Sequence, residues 1–183
     1  TSNPALFAKE CRFIGEKELA VGEGDGKGKE RITADKILIA SGTRPAVPRI
    51  DGLEGSGYIT SDQALRLRVQ PKRLIIIGGG YIAAELGHFF GALGTKIDII
   101  EKGSTMLKHE DKYVAERFTE LFSEKYGVHL GYTVESVTKS NNMFHVVAKK
   151  PRSVLEIESD QLLVATGRVP NSDTLDLEKT RVK

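Results

Sequence analysis

The chain of 183 residues contains one cysteine, Cys11, and no tryptophan. A lone thiol excludes an internal disulfide, a cysteine-based zinc cage and a dithiol redox pair within these residues. Charge of one sign is missing too. Lys+Arg 27 against Asp+Glu 25 leaves a net +2, with the basic residues scattered, so no nucleic-acid footprint is expected. No apolar run is long enough to span a bilayer, and residues Thr1 to Phe7 lack the charged-then-apolar pattern of a secretory signal. These absences leave a soluble, cytoplasmic protein with no membrane partner as the expectation. At 39% hydrophobic residues and this length, the chain can bury one ordinary core, or one core plus part of another.

From Ala5 to Val21 apolar and polar residues alternate in short runs without a helical period. Gly22 to Lys29 then places glycine at every second position, which defeats a helix and reads as a hairpin loop between strands. Ile37-Leu38-Ile39-Ala40 reads as a short strand, and Arg44 to Gly57, rich in proline and glycine, as an irregular connection. Ser61 is placed to cap a short helix over Asp62 to Leu67, closed by Pro71.

The strongest pattern begins at Arg73. Leu74-Ile75-Ile76-Ile77 is a continuous apolar strand of the kind buried on both faces of a parallel sheet. After Gly78-Gly79-Gly80 a helix is expected from about Tyr81 to Leu93. Its inner face would carry Ile82, Leu86, Phe89, Phe90 and Leu93, its small residues Ala83, Ala84, Gly87 and Gly91 would allow close approach to the sheet, and Gly94 would close it. Ile97 to Ile100 is the next strand. A second helix, roughly Asp111 to Tyr126, carries Val114, Phe118, Leu121 and Phe122. Val128 to Tyr132 reads as a third parallel strand, segments 134–138, 143–149 and 154–158 as an antiparallel meander turning at Asn141-Asn142, and Leu162 to Ala165 as a last buried strand. The fold class expected is therefore α/β, a Rossmann-like three-layer dinucleotide-binding domain with an antiparallel β-meander, plus part of a second domain.

One internal repeat supports that second domain. Asp35-Lys36-Ile37-Leu38-Ile39-Ala40-Ser41-Gly42-Thr43-Arg44-Pro45 matches Asp160 to Pro170 without a gap, sharing Asp, Leu, Ala, Gly and Pro. Two copies of a strand-and-turn imply two related domains, each ending in the same element. The boundaries expected are 1–58 for the end of the first domain and a linker, 59–172 for the dinucleotide-binding domain, and 173–183 for a tail.

Gly78-x-Gly80-x-x-Ala83 is a G-x-G-x-x-(G/A) fingerprint set between strand and helix. Gly78 permits the tight turn, Gly80 lets the backbone reach a pyrophosphate where a Cβ would collide, and Ala83 allows close helix–sheet packing. The helix N-terminus offers free N–H groups and partial positive charge to phosphates. Glu101 stands at the end of the second strand, 21 residues beyond Gly80. A carboxylate there accepts both hydroxyls of the adenosine ribose and repels a 2′-phosphate, which favours NAD over NADP. Lys102 and Lys108 lie beside the same ribose and read as solvated surface.

Taken in order, Leu74 to Glu85, the two repeated turns, and Thr60-Ser61-Asp62 ahead of Pro71 resemble the flavin-dependent pyridine nucleotide–disulfide oxidoreductases. That family includes dihydrolipoamide dehydrogenase, mercuric reductase and mycothione reductase. The run Gly103 to His109 is most similar to the mercuric and mycothione reductase branch, whereas Glu101 is more similar to dihydrolipoamide dehydrogenase.

The resemblance implies an NAD(H)-binding domain of an enzyme that passes hydride from NAD(P)H to FAD and on to a disulfide-type acceptor, dihydrolipoyl dehydrogenase-like, in a homodimeric parent. Gly78, Gly79, Gly80, Tyr81, Ile82, Ala83, Ala84 and Glu85 would wrap the pyrophosphate and nicotinamide side, with Glu85 near the carboxamide. Glu101 would hold the adenine ribose, Val134 would offer a backbone contact to adenine, and Gly167 would pass near the nicotinamide. Ser41, Gly42 and Thr43 would touch FAD. The family's paired cysteines and its acid–base histidine have no counterpart here, so no residue is assigned a catalytic or metal-binding role and this portion alone is expected to be inactive. Cys11 reads as a buried, inert thiol. His88 reads as facing helix packing, and His109, His129 and His145 as having no Asp or Ser arrangement around them. The other readings are a parent NADH oxidase or ferredoxin/rubredoxin reductase, and a non-catalytic dinucleotide-binding module.

Overall fold

Residues 5–22 and 30–182 are described by the computed structural model. The chain divides into two units, Thr1–Arg44 with Val169–Lys183, and Pro45–Arg168.

The first unit opens with strands β1 (Cys11–Gly15), β2 (Glu18–Val21) and β3 (Glu30–Thr33), an antiparallel sheet in that order. Phe13, Ala20 and Val21 are its buried residues. Val21 pairs with Glu30, so two strands flank the glycine-rich run as the sequence suggests. Residues 23–29 of the expected hairpin loop lie outside the described residues. The expected strand at 37–40 does not form: its backbone joins no ladder among the described residues, and Leu38 is 91% exposed. Four apolar residues make a strand only where a neighbouring strand takes up their N–H and C=O groups. A three-residue strand, β4 (Thr43–Pro45), follows.

The second unit takes in residues 45–58, ahead of the boundary at 59 that the sequence suggests. Leu53, 1% exposed, belongs to this unit's core, and the Val137 N–H donates to the Asp51 carbonyl at 2.8 Å. Next come α1 (Ser61–Ala64), β5 (Arg73–Ile77), α2 (Tyr81–Ala92), β6 (Lys96–Glu101), α3 (Lys112–Ser123) and β7 (Gly127–Leu130). Then follow β8 (Thr133–Ser140), β9 (Met143–Lys150), β10 (Ser153–Ser159) and β11 (Gln161–Val164). Strands β11-β5-β6-β7 form a parallel sheet, and β10-β9-β8 form an antiparallel one.

Alternation along β5 explains why its run is apolar throughout. Leu74 and Ile76 point to a cluster with Ala83, Leu86 and Phe90 of α2 and Phe122 of α3. Ile75 and Ile77 point to a second cluster with Val137, Phe144 and Val146 of the meander. A strand between two apolar layers has no face to give to water. The result is three layers: helices, parallel sheet and meander.

Local chemistry sets the ends of these elements. Gly94, at φ +96, closes α2: its N–H donates to the Gly91 carbonyl and the Thr95 N–H to that of Phe90, both at 3.0 Å, a Schellman ending. Asp111 caps α3 through its side chain, accepting from Tyr113 N–H at 2.9 Å. Asn141 and Asn142 both take left-handed φ, as a two-residue hairpin turn requires.

Several expectations are corrected here. Helix α1 is shorter than 62–67 and is capped by Thr60, whose N–H is received by Gln63 Oε1 at 2.9 Å; Ser61 is its first residue. On α2, Leu86 and Phe90 are buried, whereas Phe89 and Leu93 are 52% and 56% exposed. Gly91 meets the Tyr126 ring rather than the sheet. On α3 the inward residues are Ala115, Thr119 and Phe122, while Val114 and Leu121 face out. His88 is exposed, with Nδ1 3.4 Å from the Tyr126 hydroxyl.

The chain returns to the first unit as β12 (Arg168–Pro170), paired with β4. There the Phe13 N–H donates to the Leu175 carbonyl at 2.9 Å, and Asp173 receives both ends of the Arg44 guanidinium, at 2.9 and 2.5 Å. The Arg44 pair holds the Asp173 carboxyl below its usual range, and Arg181 does the same to Glu16. The exposed turn Ser41-Gly42-Thr43 is tied to Asn171, whose N–H donates to the Gly42 carbonyl at 3.0 Å and whose Nδ2 donates to the Ser41 carbonyl at 2.9 Å.

Candidate functional site

The glycine turn lies between the C-terminal end of β5 and the N-terminus of α2, and its three glycines are there for three different reasons. Gly78 sits at φ +105, and a Cβ on it would stand 2.5 Å from the Ala165 carbonyl oxygen. It is demanded by the fold itself. Gly79 is buried with no left-handed backbone, but a Cβ there would lie 2.9–3.1 Å from the side chain of Glu101. Gly80 is exposed at φ −81, and a Cβ would meet nothing within 4 Å. The surrounding protein gives no reason for glycine at that position.

Gly80 is also the N-cap of α2 and supplies no side-chain cap. A twelve-residue helix therefore begins with uncapped N–H groups at the open position. Tyr81, its first residue, is 58% exposed; Ile82 is half-buried, Ala83 and Ala84 are buried against the core, and Glu85 is exposed. Ala83, at 0% exposure, is packed in the core that α2 forms with β5 and β6, where the fingerprint calls for a small residue.

Glu101 ends β6 and is 8% exposed. Its Oε2 accepts the Gly79 N–H and its Oε1 the Gly103 N–H, each at 2.6 Å. The segment after it is pinned twice. The Leu107 N–H donates to the Gly79 carbonyl at 2.8 Å, and the Met106 N–H donates to Thr119 Oγ1 of α3 at 3.0 Å. Leu107 takes a left-handed φ of 52° at this anchor. Lys102 and Lys108 on the same segment are exposed.

The structure thus brings Gly78 to Glu85 and Glu101 together at the carboxyl ends of the parallel strands, where open α/β sheets bind ligands. Gly167, at φ +134, follows two residues after Ala165, the residue that abuts Gly78. Val134 stands further along the chain, its side chain in the meander core and its strand shifting register between Val134 and Ser136. The Tyr132 N–H, two residues earlier, donates to the Glu101 carbonyl at 3.2 Å. Ser41, Gly42 and Thr43 belong to the other unit.

Sequence reasoning misses two features here. Glycine at 79 and at 103 leaves room for the Glu101 carboxylate; Gly79 stands at a fingerprint position that tolerates any residue, and Gly103 lies outside the fingerprint. His129 does have an aspartate beside it, its Nε2 lying 2.9 Å from Asp98 Oδ1, and His145 Nε2 lies 3.4 Å from Glu156 Oε2. These pairs line an open depression with Arg73 and Lys96, the first residues of β5 and β6, at the opposite end of the parallel strands from the glycine turn. Among the described residues no three His, Cys, Asp or Glu side chains are grouped to hold a metal ion, and no helix is long and apolar enough to cross a membrane. Cys11 is half-buried at the start of β1.

Comparison with known proteins identifies the family. The chain is 38% identical over 180 residues to a mercuric reductase of Staphylococcus aureus, covering 97% of this chain and 32% of that protein. It is 39% identical over 153 residues to a mycothione reductase of Mycobacterium tuberculosis, covering 84% of this chain and 33% of the relative. It spans about a third of the length of these curated relatives. Among solved structures, the HOCl-induced flavoprotein disulfide reductase RclA from Escherichia coli superposes with a TM-score of 0.78 at 29% identity, over 96% of this chain and 39% of that one. Residues 5–183 match the family described as pyridine nucleotide-disulphide oxidoreductase, and the chain belongs to that family.

Proposed function

We propose that the unit of residues 45–168 is the NAD(H)-binding part of a flavin-dependent oxidoreductase whose acceptor is of the disulfide type. The observation that carries this reading is Gly80, a glycine with ordinary backbone, open space at its Cβ and an uncapped helix N-terminus behind it. Glycine at such a place is explained by a ligand that approaches the backbone, and a pyrophosphate fits the donor set.

The residues present fit a dinucleotide. The N–H groups at the start of α2 would receive the phosphates, and Glu101 would accept the adenosine ribose hydroxyls. Tyr81 and Glu85, exposed on the first turns of α2, would face the nicotinamide half. When bound, the nicotinamide supplies hydride. The chain's own residues bind and orient it. For FAD the residues assigned by resemblance amount to one exposed turn, Ser41-Gly42-Thr43, too little to hold a flavin, and no step is derived through it.

Glu101 supports NAD over NADP, because a buried carboxylate at the ribose repels a 2′-phosphate. The narrower dihydrolipoamide-dehydrogenase-like reading rests on that residue alone, whereas the run Gly103 to His109 and the relatives named above lie with mercuric and mycothione reductases. Calorimetric titration of the chain with NADH tests the proposal: saturable binding is expected, without diaphorase or disulfide reductase turnover. Glu101→Ala should weaken binding by about 1–2 kcal/mol, the scale of lost hydrogen bonds to a charged group. Absence of NADH binding, or turnover by the chain alone, sinks the reading.

A further inference from the structure

We propose that Glu101 is a positioning residue for the phosphate-binding turn, in addition to being the ribose acceptor; this rests on the dinucleotide reading above. Each carboxylate oxygen holds one backbone N–H, that of Gly79 or that of Gly103, at 2.6 Å. An ionised carboxylate has about four lone-pair directions, so two remain for a ribose diol. The two donors come from different segments, the turn after β5 and the segment after β6. A Cβ on Gly79 would lie 2.9 Å from Glu101 Cγ, and one on Gly103 would lie 3.0 Å from its Oε1, so a side chain at either position would crowd the carboxylate.

The clamp fixes more than a distance. The Leu107 N–H takes the Gly79 carbonyl at 2.8 Å, so both backbone groups of Gly79 are held from the β6 side. Because the peptide bond is planar and trans, holding that carbonyl sets the plane of the next peptide and turns the Gly80 N–H in the opposite sense. The Gly80 N–H belongs to the helix N-terminus that would face a phosphate. Glu101 and Leu107 therefore set the orientation of the turn through Gly79, and Met106, bonded to Thr119, ties the same segment to α3.

The test separates positioning from ribose recognition by using an NADH analogue whose adenosine ribose lacks both hydroxyls. That ligand gives Glu101 nothing to accept. Wild type and Glu101→Gln are titrated with NADH and with the analogue. Positioning predicts that the substitution, which sets an amide N–H₂ against one backbone N–H, weakens the analogue by at least about fivefold, the scale of one lost hydrogen bond. Equal binding of the analogue to both proteins, with NADH alone weakened, overturns positioning and leaves the ribose role standing. Failure of NADH to bind the wild type overturns the dinucleotide reading itself. A second measurement needs no variant: amide hydrogen exchange of the wild-type chain should show the Gly79 and Gly103 N–H groups protected although neither lies in a helix or strand, and rapid exchange of both overturns the clamp.

Discussion

Replacing Gly80 by alanine should separate folding from binding, because the two depend on different neighbours of this residue. Its φ of −81° suits any residue, and the new Cβ would touch nothing within 4 Å. Two small effects on stability oppose each other. Alanine is a poorer N-cap than glycine by about 0.5–1 kcal/mol. Restricting the unfolded chain returns about 0.4–1 kcal/mol. The net change is close to zero, and Tm should move by no more than about 2 °C. Binding is another matter, since on the dinucleotide reading the methyl would occupy the space through which a phosphate would reach the backbone. NADH affinity should fall at least tenfold, about 1.4 kcal/mol.

Gly78→Ala is the control with the opposite signature. Its Cβ would stand 2.5 Å from the Ala165 oxygen at φ +105, so the left-handed cost of about 1–3 kcal/mol is compounded by a backbone clash. A drop in Tm of at least about 6 °C is expected, from a loss of about 3 kcal/mol spread over a chain of this size. Calorimetric titration with NADH and a thermal melt on each variant decide the matter. Should Gly80→Ala bind NADH within about twofold of wild type, the argument that a ligand explains this glycine is wrong.

Three further outcomes follow from packing and charge. Phe144, at 0% exposure in the meander core, should cost about 3–5 kcal/mol on truncation to alanine, read as a lowered urea midpoint with little change in slope. Gly127→Ala drives a Cβ onto the Asp98 carboxylate that meets His129; a loss of about 2–3 kcal/mol is expected, and an unchanged urea midpoint would show that Asp98 moves aside freely. Asp173 and Glu16, both held below the usual carboxylate range by arginine partners, bind protons less readily in the folded chain. Their contribution is therefore present above the unfolded carboxylate pKa and lost as pH falls through the folded one. The urea midpoint should fall less steeply with acidification in Asp173→Asn than in wild type, and parallel curves would remove the Arg44 pair from the account.

The parts of the fold legible in the sequence are those where one physical requirement dominates a run of residues. Leu74 to Ile77 had to be a doubly buried strand because no residue in it tolerates water. Gly94 and Asn141-Asn142 had to end elements because their backbones are left-handed. Where two neighbours are equally apolar, sequence does not say which one turns inward: Phe90 is buried and Phe89 is not, and Phe122 is buried while Leu121 is not. Ile37 to Ala40 repeats Leu162 to Ala165 in sequence, yet among the described residues only the second copy finds a strand, β5, beside it. The fingerprint located the glycine turn but not how that turn is held, since the Glu101 contact joins residues 22 positions apart. The Asp98–His129 contact spans 31 positions and left no local trace at all.

The division of the chain has a consequence for the order in which it folds. The first unit is assembled from residues on both sides of the second, which is inserted between Arg44 and Val169. Bringing those flanks together across a disordered loop of about 120 residues would cost roughly 4 kcal/mol in closure entropy. The inserted unit removes that cost by closing its own ends, with the Ala46 N–H on the Gly167 carbonyl at 2.9 Å and the Thr166 hydroxyl on the Ala46 carbonyl at 2.6 Å. The insertion thus acts as a template, and β1 to β3 are expected to settle after it. Pulse-labelled exchange during refolding should protect β5 and β6 before β1, and protection of β1 first would reverse that order.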